Sequence, residues 1–243
     1  MSENKVAIVT GASKGIGRAI AQKLSRDGIN VVINYAHNEG EAEETLKNLP
    51  GPGEGLIYKA DVSDPAQVTA MFDTAEEKWG KVDILINNAG IMALSPLADT
   101  SDDAFDKHIA VNLKGVFNGM REAANRLTKG GRIISFSSSV VGVYMPAYGV
   151  YAATKAAVEA MTYVLAKELG DKHITVNTIA PGPTATDLFL DGKSDELINQ
   201  IKSRIPLGRL GETEDIADVT SFLVSDDARW VNGQILRVNG GMV

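Results

Sequence analysis

The stretch from Lys5 to Asp27 constrains the fold more than any other. Lys5-Val-Ala-Ile-Val-Thr10 is a short β-branched run that reads as a strand. Gly15 to Asp27 has the apolar spacing of a helix and stops at Gly28. Between them lies Thr10-Gly-Ala-Ser-Lys-Gly-Ile-Gly17. A strand that enters a glycine-rich turn and leaves as a helix is the opening of a βαβ unit. Gly11 can turn tightly, Gly15 admits a close backbone approach, and Gly17 lets helix and strand pack. The helix start offers unpaired N–H groups and the positive end of its dipole, which suit a phosphate. On this reading Gly11, Ser13, Lys14, Gly15, Ile16 and Gly17 cradle a dinucleotide pyrophosphate, with a plain structural turn as the alternative.

The rest of the chain repeats the alternation. Further strands are expected at Asn30–Tyr35, Leu56–Ala60, Val82–Asn87, Arg132–Ser137, Ile174–Ala180 and Gln234–Val238. Helices are expected at Glu39–Leu49, from Pro65 to Trp79, at about Asp102–Leu127, and at Tyr148–Leu169 closed by Gly170. This rhythm predicts an α/β fold, a doubly wound parallel sheet of about seven strands with helices on both faces. With no repeat, low-complexity tract or linker, residues 1–243 read as a single domain.

Composition removes several function classes. A formal charge of -7 with mixed signs and no basic run argues against nucleic acid. Zero cysteines exclude disulfides, thiolate nucleophiles and Cys-ligated metals, and suit the cytoplasm. His37, His108 and His173 are scattered and read as solvated surface residues, so no metal is expected. The N-terminus, Met1 to Lys5, is short and polar, and no run is long enough to span a bilayer, so neither signal peptide nor membrane is expected.

Carbonyl chemistry needs a proton donor beside the oxygen, and Tyr151-x-x-x-Lys155 offers one. A lysine four residues along a helix shares the tyrosine's face and is expected to lower its pKa. The pattern is loose, and the chain holds a second copy at Tyr163-x-x-x-Lys167. Only the first has a serine thirteen residues upstream, Ser138, where the second has Val150. Ser138 would hold and polarise the substrate oxygen.

Taken in order, Thr10 to Gly17, Asp61-Val62, Asn87-Asn-Ala-Gly90, Asn112, Ser138, Tyr151-x-x-x-Lys155 and Pro181-Gly182 resemble the short-chain dehydrogenase/reductase family. The resemblance covers essentially the whole chain and implies a Rossmann-type sheet. It implies a catalytic set of Asn112, Ser138, Tyr151 and Lys155, in which the Asn112 main chain holds a water that relays protons to Lys155. Ser137 to Ser139 are consecutive; an ungapped count lands on Ser138, whereas aligning Ser139-Val-Val-Gly142 would favour Ser139. The resemblance also implies that Asp61 and Val62 hold the adenine and that Asn88, Ala89 and Gly90 pass beneath the ribose. Ile179, Pro181, Gly182, Thr184 and Thr186 then lie near the nicotinamide.

The second strand ends at Asn34-Tyr35 with no acid until Glu39, so a ribose diol lacks its usual carboxylate and a 2′-phosphate meets no repulsion there. With Lys14 beside it, NADP (as NADPH) is expected in preference to NAD. Residues 185–207 resemble the family's mobile substrate lid, with Asp191-Gly-Lys-Ser194 as a hinge. Met92, Leu94, Val140, Tyr144, Phe189 and Leu190 are candidate pocket residues. They suit small-molecule ketones, aldehydes or 3-oxoacyl chains better than sugars. The resemblance is nearest to bacterial 3-oxoacyl-carrier-protein reductases and related NADPH carbonyl reductases. Alternatives are a polyol, sugar or secondary-alcohol dehydrogenase running in the oxidising direction, or a non-catalytic dinucleotide sensor. Ala152, Ala153, Ala156, Ala157 and Ala160 would let two such helices meet in a homotetramer.

Overall fold

Residues 4–243 are described in a computed structural model; the first residues of the polar N-terminal stretch lie outside them. In chain order the elements are β1 (Val6–Val9), α1 (Gly15–Arg26), β2 (Asn30–Tyr35), α2 (Glu39–Lys47), β3 (Gly55–Lys59), α3 (Pro65–Trp79), β4 (Ile84–Asn87) and α4 (Asp102–His108). A π-helical turn (Ile109–Lys114) leads into α5 (Gly115–Arg126), β5 (Arg132–Phe136), α6 (Val140–Val143), α7 (Gly149–Glu168) and β6 (Thr175–Pro181). Then follow α8 (Asp187–Leu190), α9 (Asp195–Lys202), α10 (Thr213–Val224) and β7 (Ile235–Val238).

The seven strands form one parallel sheet in the order β3-β2-β1-β4-β5-β6-β7. Side chains alternate between its two faces, as the two-residue period of a strand requires. Ala7, Val9, Val31, Ile33, Ile84 and Ile86 join the core under α1 and α10, where Ile20, Leu24, Ile216 and Leu223 are buried. Ile8, Val32 and Leu85 join the opposite core, formed with α3, α5 and α7 by Met71, Phe72, Met120 and Val158. Both faces are covered, which explains why β1, β2, β4 and β5 are buried along their whole length. Removing one of the largest fully buried side chains, Phe72 to Ala, is expected to cost about 3–5 kcal/mol.

The expected strands all form, within two residues of their predicted ends. Two helix expectations change. The long helix from Asp102 is interrupted by the π turn, and Asn112 sits inside it, fully buried. Such turns recur where a helix is bent to serve a site. The close of α7 falls not at Gly170 but at His173, which takes the left-handed conformation (φ 54°) after a short 3₁₀ turn. The strand order reverses at β1 and β4, and the crevice beyond their carboxyl ends is where such a sheet binds ligands.

Candidate active site

The loop from β1 to α1 is held open by its glycines and lashed down by its neighbours. Gly11 has φ 62°, and a Cβ there would come within 2.9 Å of the Ala89 backbone. A Cβ on Gly17 would lie 2.3 Å from the Gly11 carbonyl. The Gly11 N–H donates to Asn34 Oδ1 (3.1 Å), and the Asn34 amide donates in turn to the Ala60 carbonyl (3.0 Å). The Asn88 amide donates to the Thr10 and Gly11 carbonyls (2.9 and 3.0 Å), while Thr10 Oγ1 accepts from the Asn88 and Ala89 N–H groups. Arg18 Nη2 donates to the Ser13 carbonyl (2.7 Å). No side chain caps α1 and its first turn carries no acid, so its N–H groups and dipole are left for an anion.

One cleft of about 880 Å³ runs past this loop. Gly11, Ser13 to Gly17, Asn34, Tyr35, Asp61, Val62, Asn88 to Gly90, Pro181, Gly182, Thr184 and Thr186 all line it, whereas Ile179 does not. Several of their polar groups are already engaged. The side chains of Asn34 and Asn88 hold the glycine loop. Asp61 Oδ1 accepts from the Ser63 N–H and hydroxyl (2.9 and 2.8 Å). Thr184 Oγ1 donates to the Gly182 carbonyl, and Thr186 caps α8 through the Phe189 N–H. Lys14 Nζ lies 4.0 Å from Glu41 and 3.9 Å from Asp187, at the edge of ion-pair range. Glu41 itself lines the cleft, so the end of β2 is less free of acid than the sequence spacing suggested. Ala36, His37 and Asn38 line it too.

The first turns of α7 carry Tyr151 and Lys155 into the same cleft, facing the Ser138 segment between β5 and α6. Ser138 is the serine close enough to the Tyr151 phenol to pull its pKa down, and its Oγ accepts from the Val140 N–H (3.3 Å). Its neighbours point elsewhere: Ser137 Oγ donates to Glu159 Oε1 (2.6 Å), and Ser139 Oγ donates to the Ala180 carbonyl (3.1 Å) and accepts from Asn239. Lys155 is buried, with Nζ donating to the Phe136 carbonyl (2.8 Å) and lying 5.7 Å from the Tyr151 ring centre.

The expected lowering of the tyrosine is not what this arrangement gives. Burial pushes the Tyr151 phenol up to about 12, against a smaller downward pull from Ser138, and burial pulls Lys155 down to about 8. Both groups are desolvated together, and loss of water disfavours each charged form. At neutral pH the pair therefore stands as a phenol and an ammonium. Asn112 lies behind the cleft. Its Oδ1 accepts from the Ile91 N–H (2.8 Å) and its amide donates to the Ile91 carbonyl (2.9 Å), so its side chain braces the loop after β4. Gly115 and Gly119, poor helix formers, let α5 pack closely: a Cβ would meet Val62 Cγ2 at 2.6 Å and Asn87 Oδ1 at 2.3 Å respectively.

Residues 11–243 match a family model described as enoyl-(acyl carrier protein) reductase. A short-chain type dehydrogenase/reductase of Picea abies is 48% identical, over 98% of this chain and 92% of its own. The chain is a short-chain dehydrogenase/reductase. An NADPH-dependent aldehyde reductase-like protein, chloroplastic, of Arabidopsis thaliana is 46% identical over 98% of this chain and 94% of its own. A 3-oxoacyl-[acyl-carrier-protein] reductase of Staphylococcus aureus is 41% identical over 100% and 99%. A short-chain dehydrogenase from Burkholderia cenocepacia, crystallised in complex with NADP, superposes with a TM-score of 0.92 at 36% identity, covering 98% of this chain and 97% of that one. Membership makes this protein an oxidoreductase.

The substrate side of this dehydrogenase/reductase departs from the sequence expectation. Met92, Val140 and Phe189 line the cleft, but Leu94, Tyr144 and Leu190 do not. Tyr144 takes the left-handed conformation (φ 52°) and is 71% exposed. Val143, Met145, Tyr148, Leu188, Ile201 and Met242 complete the wall instead. Met242 is there because Asn239 ties the tail down, donating to Ser139 and the Val243 carbonyl and accepting from the Gly241 and Met242 N–H groups. No local pattern signals such a reach from the end of the chain. His108 is not a surface histidine. It is buried, its Nε2 accepts from the Ala93 N–H (3.1 Å), and its Nδ1 faces the Ala104 carbonyl (2.7 Å). By accepting from the Ala93 N–H, the His108 ring holds the loop after β4.

Proposed function

We propose that this protein is an NADPH-dependent carbonyl reductase, converting a ketone or aldehyde to an alcohol with Tyr151 as general acid. A 3-oxoacyl thioester is one such carbonyl. The observation that carries the reading is the meeting of the Tyr151 phenol, the Ser138 hydroxyl and the buried Lys155 in one cleft with an uncapped, glycine-lined helix start.

The residues present fit a nicotinamide dinucleotide: the N-terminus of α1 for the pyrophosphate, Asp61 and Val62 for the adenine, and Thr184 and Thr186 for the carboxamide side. When bound, the reduced cofactor supplies the hydride. The Ser138 hydroxyl donates to the carbonyl oxygen and holds it beside Tyr151. As the carbon gains its hydrogen, the C=O π bond gives way and the oxygen takes the proton from Tyr151 Oη. The phenolate left behind is stabilised by the Lys155 ammonium and by Ser138. Asn112 joins this set through its main chain, because its side chain is taken up by Ile91.

NADPH is preferred to NADH on three grounds: no acid immediately follows β2, Lys14 and His37 line the cleft, and relatives carry NADPH-dependent names. Steady-state KM values for the two cofactors decide this, and a lower KM for NADH contradicts it. Residues 185–207 act as the lid. A homotetramer is supported by exposed Phe105, Phe117, Tyr163 and Val164 on α4, α5 and α7, which light scattering tests. No helix of the described residues is long and apolar enough to cross a membrane, and a cytoplasmic location is proposed.

NADPH oxidation against a panel of aldehydes, ketones, acetoacetyl thioesters and sugars tests the function. Turnover of apolar carbonyls is expected. Turnover confined to polyols with NADP would establish the oxidising reading, and cofactor binding without turnover would establish the sensor.

A further inference from the structure

Among the charged side chains that line the cleft, most have an evident partner. Lys14 faces Glu41 and Asp187, and Lys155 donates to the Phe136 carbonyl. Two cations have neither ion pair nor side-chain hydrogen bond to a described residue: Lys107 on α4 and Arg204 just beyond α9. In a chain whose 31 acids outnumber its 24 lysines and arginines, an arginine without an acid partner calls for one from outside.

Arg204 is the better placed of the two for a substrate. Its N–H donates to the Ile201 carbonyl (3.0 Å), and Ile201 lines the cleft. The next residue, Ile205, is buried against the C-terminal tail, where a Cβ on Gly240 would come within 2.7 Å of Ile205 Cγ2. The Leu207 N–H donates to the Gly240 carbonyl (3.2 Å). The backbone at Arg204 is thus anchored to the tail that brings Met242 into the cleft. The same cleft is lined by the apolar side chains of Val143, Met145, Phe189, Ile201 and Met242. Arg204 is itself exposed, and its guanidinium offers five N–H donors in a planar fork that matches a carboxylate or a phosphate reaching it from the cleft.

We propose that Arg204 is the anion-binding residue of the substrate pocket, so that the preferred carbonyl substrates carry a carboxylate or phosphate remote from the reacting carbon. This rests on the carbonyl-reductase reading. The anionic group takes no part in the chemistry: hydride still goes to the carbonyl carbon and the Tyr151 proton to its oxygen.

The test compares kcat/KM, with NADPH, for matched pairs: succinic semialdehyde against its methyl ester, and glyceraldehyde phosphate against glyceraldehyde. The expected result is about a tenfold preference for at least one anionic partner, mostly in KM and shrinking as salt rises. The pair that shows it identifies the anion. In Arg204→Met the ratio falls close to one, and Arg204→Lys, which keeps the charge without the fork, retains part of it. Neutral carbonyls reduced with no anionic preference overturn the proposal and leave the carbonyl-reductase reading intact. So does a preference that survives in Arg204→Met, or one lost instead in Lys107→Met. No reduction of any of the four compounds overturns both.

Discussion

Helix α7 carries the same two-residue pattern twice, and the copies differ in everything except spacing. Tyr151 and Lys155 sit on its first turns, desolvated, with the phenol against Ser138 and the ammonium against the Phe136 carbonyl. Tyr163 and Lys167 follow twelve residues later, and Tyr163 is 50% exposed with Lys167 on the surface. Twelve residues turn an α-helix by about 120° beyond full turns, which moves the second pair from the cleft to the outside. Spacing at i and i+4 supplies proximity, whereas the pKa displacements come from burial. The comparison teaches that a motif on a helix is a claim about its face.

The sharpest way to break that contrast is to remove one hydroxyl at a time. Tyr151→Phe is expected to lower kcat for carbonyl reduction about a thousandfold, within the range for loss of a general acid, while NADPH binding by fluorescence persists. Tyr163→Phe should stay within about twofold of wild type. Equal losses in both variants would end the distinction.

The lysines come next. Lys155→Met should lower kcat about a hundredfold and Lys167→Met should not. Stability sharpens the point. A buried lysine whose pKa is lowered to about 8 is charged below that pH at a cost of about 3 kcal/mol relative to the unfolded chain, and the cost fades as pH rises toward its ordinary value. Lys155→Met removes that cost at neutral pH and also the bond to the Phe136 carbonyl. Its Tm is therefore expected to match or exceed wild type at pH 7, and a large fall in Tm contradicts the assigned burial.

The serines give effects no larger than the lysine's and the finest resolution. Ser138→Ala is expected to reduce kcat/KM about a hundredfold with little change in Tm. Ser137→Ala and Ser139→Ala remove bonds to Glu159 and to the Ala180 carbonyl, and should instead cost about 1–3 kcal/mol of stability. Reversal of the two phenotypes would move the role to a neighbour.

The contrast within α7 also marks where sequence reasoning reaches and where it stops. The strands, the glycine loop and Ser138 were legible because each is written in local period or spacing: two-residue alternation, a strand–glycine–helix junction, thirteen residues to Tyr151. The π turn around Asn112 was not, because no local pattern marks it, and the bonds that hold Asn112 run to Ile91, twenty-one residues away. His108 read as a surface residue because its acceptor role depends on Ala93, fifteen residues away across a loop. Spacing reveals the charge beside Tyr151 but not the loss of water that raises its phenol. Arg204 and Met242 line the same cleft because Ile205 and Leu207 pack on the C-terminal tail at Gly240, a contact that no window of sequence contains.

In the proposed mechanism burial leaves the first pair a phenol over an ammonium at neutral pH. The pH dependence of kcat/KM for reduction of a neutral aldehyde by NADPH, from about pH 6 to about pH 10, tests it most directly. Tyr151 stays protonated across that range, whereas Lys155 loses its charge as pH rises through about 8. The predicted profile is level at low pH and falls above about 8, and the fall disappears from the residual activity of Lys155→Met while Lys167→Met keeps it. A wild-type profile that stays level to the upper limit, or a fall that survives in Lys155→Met, would contradict the account.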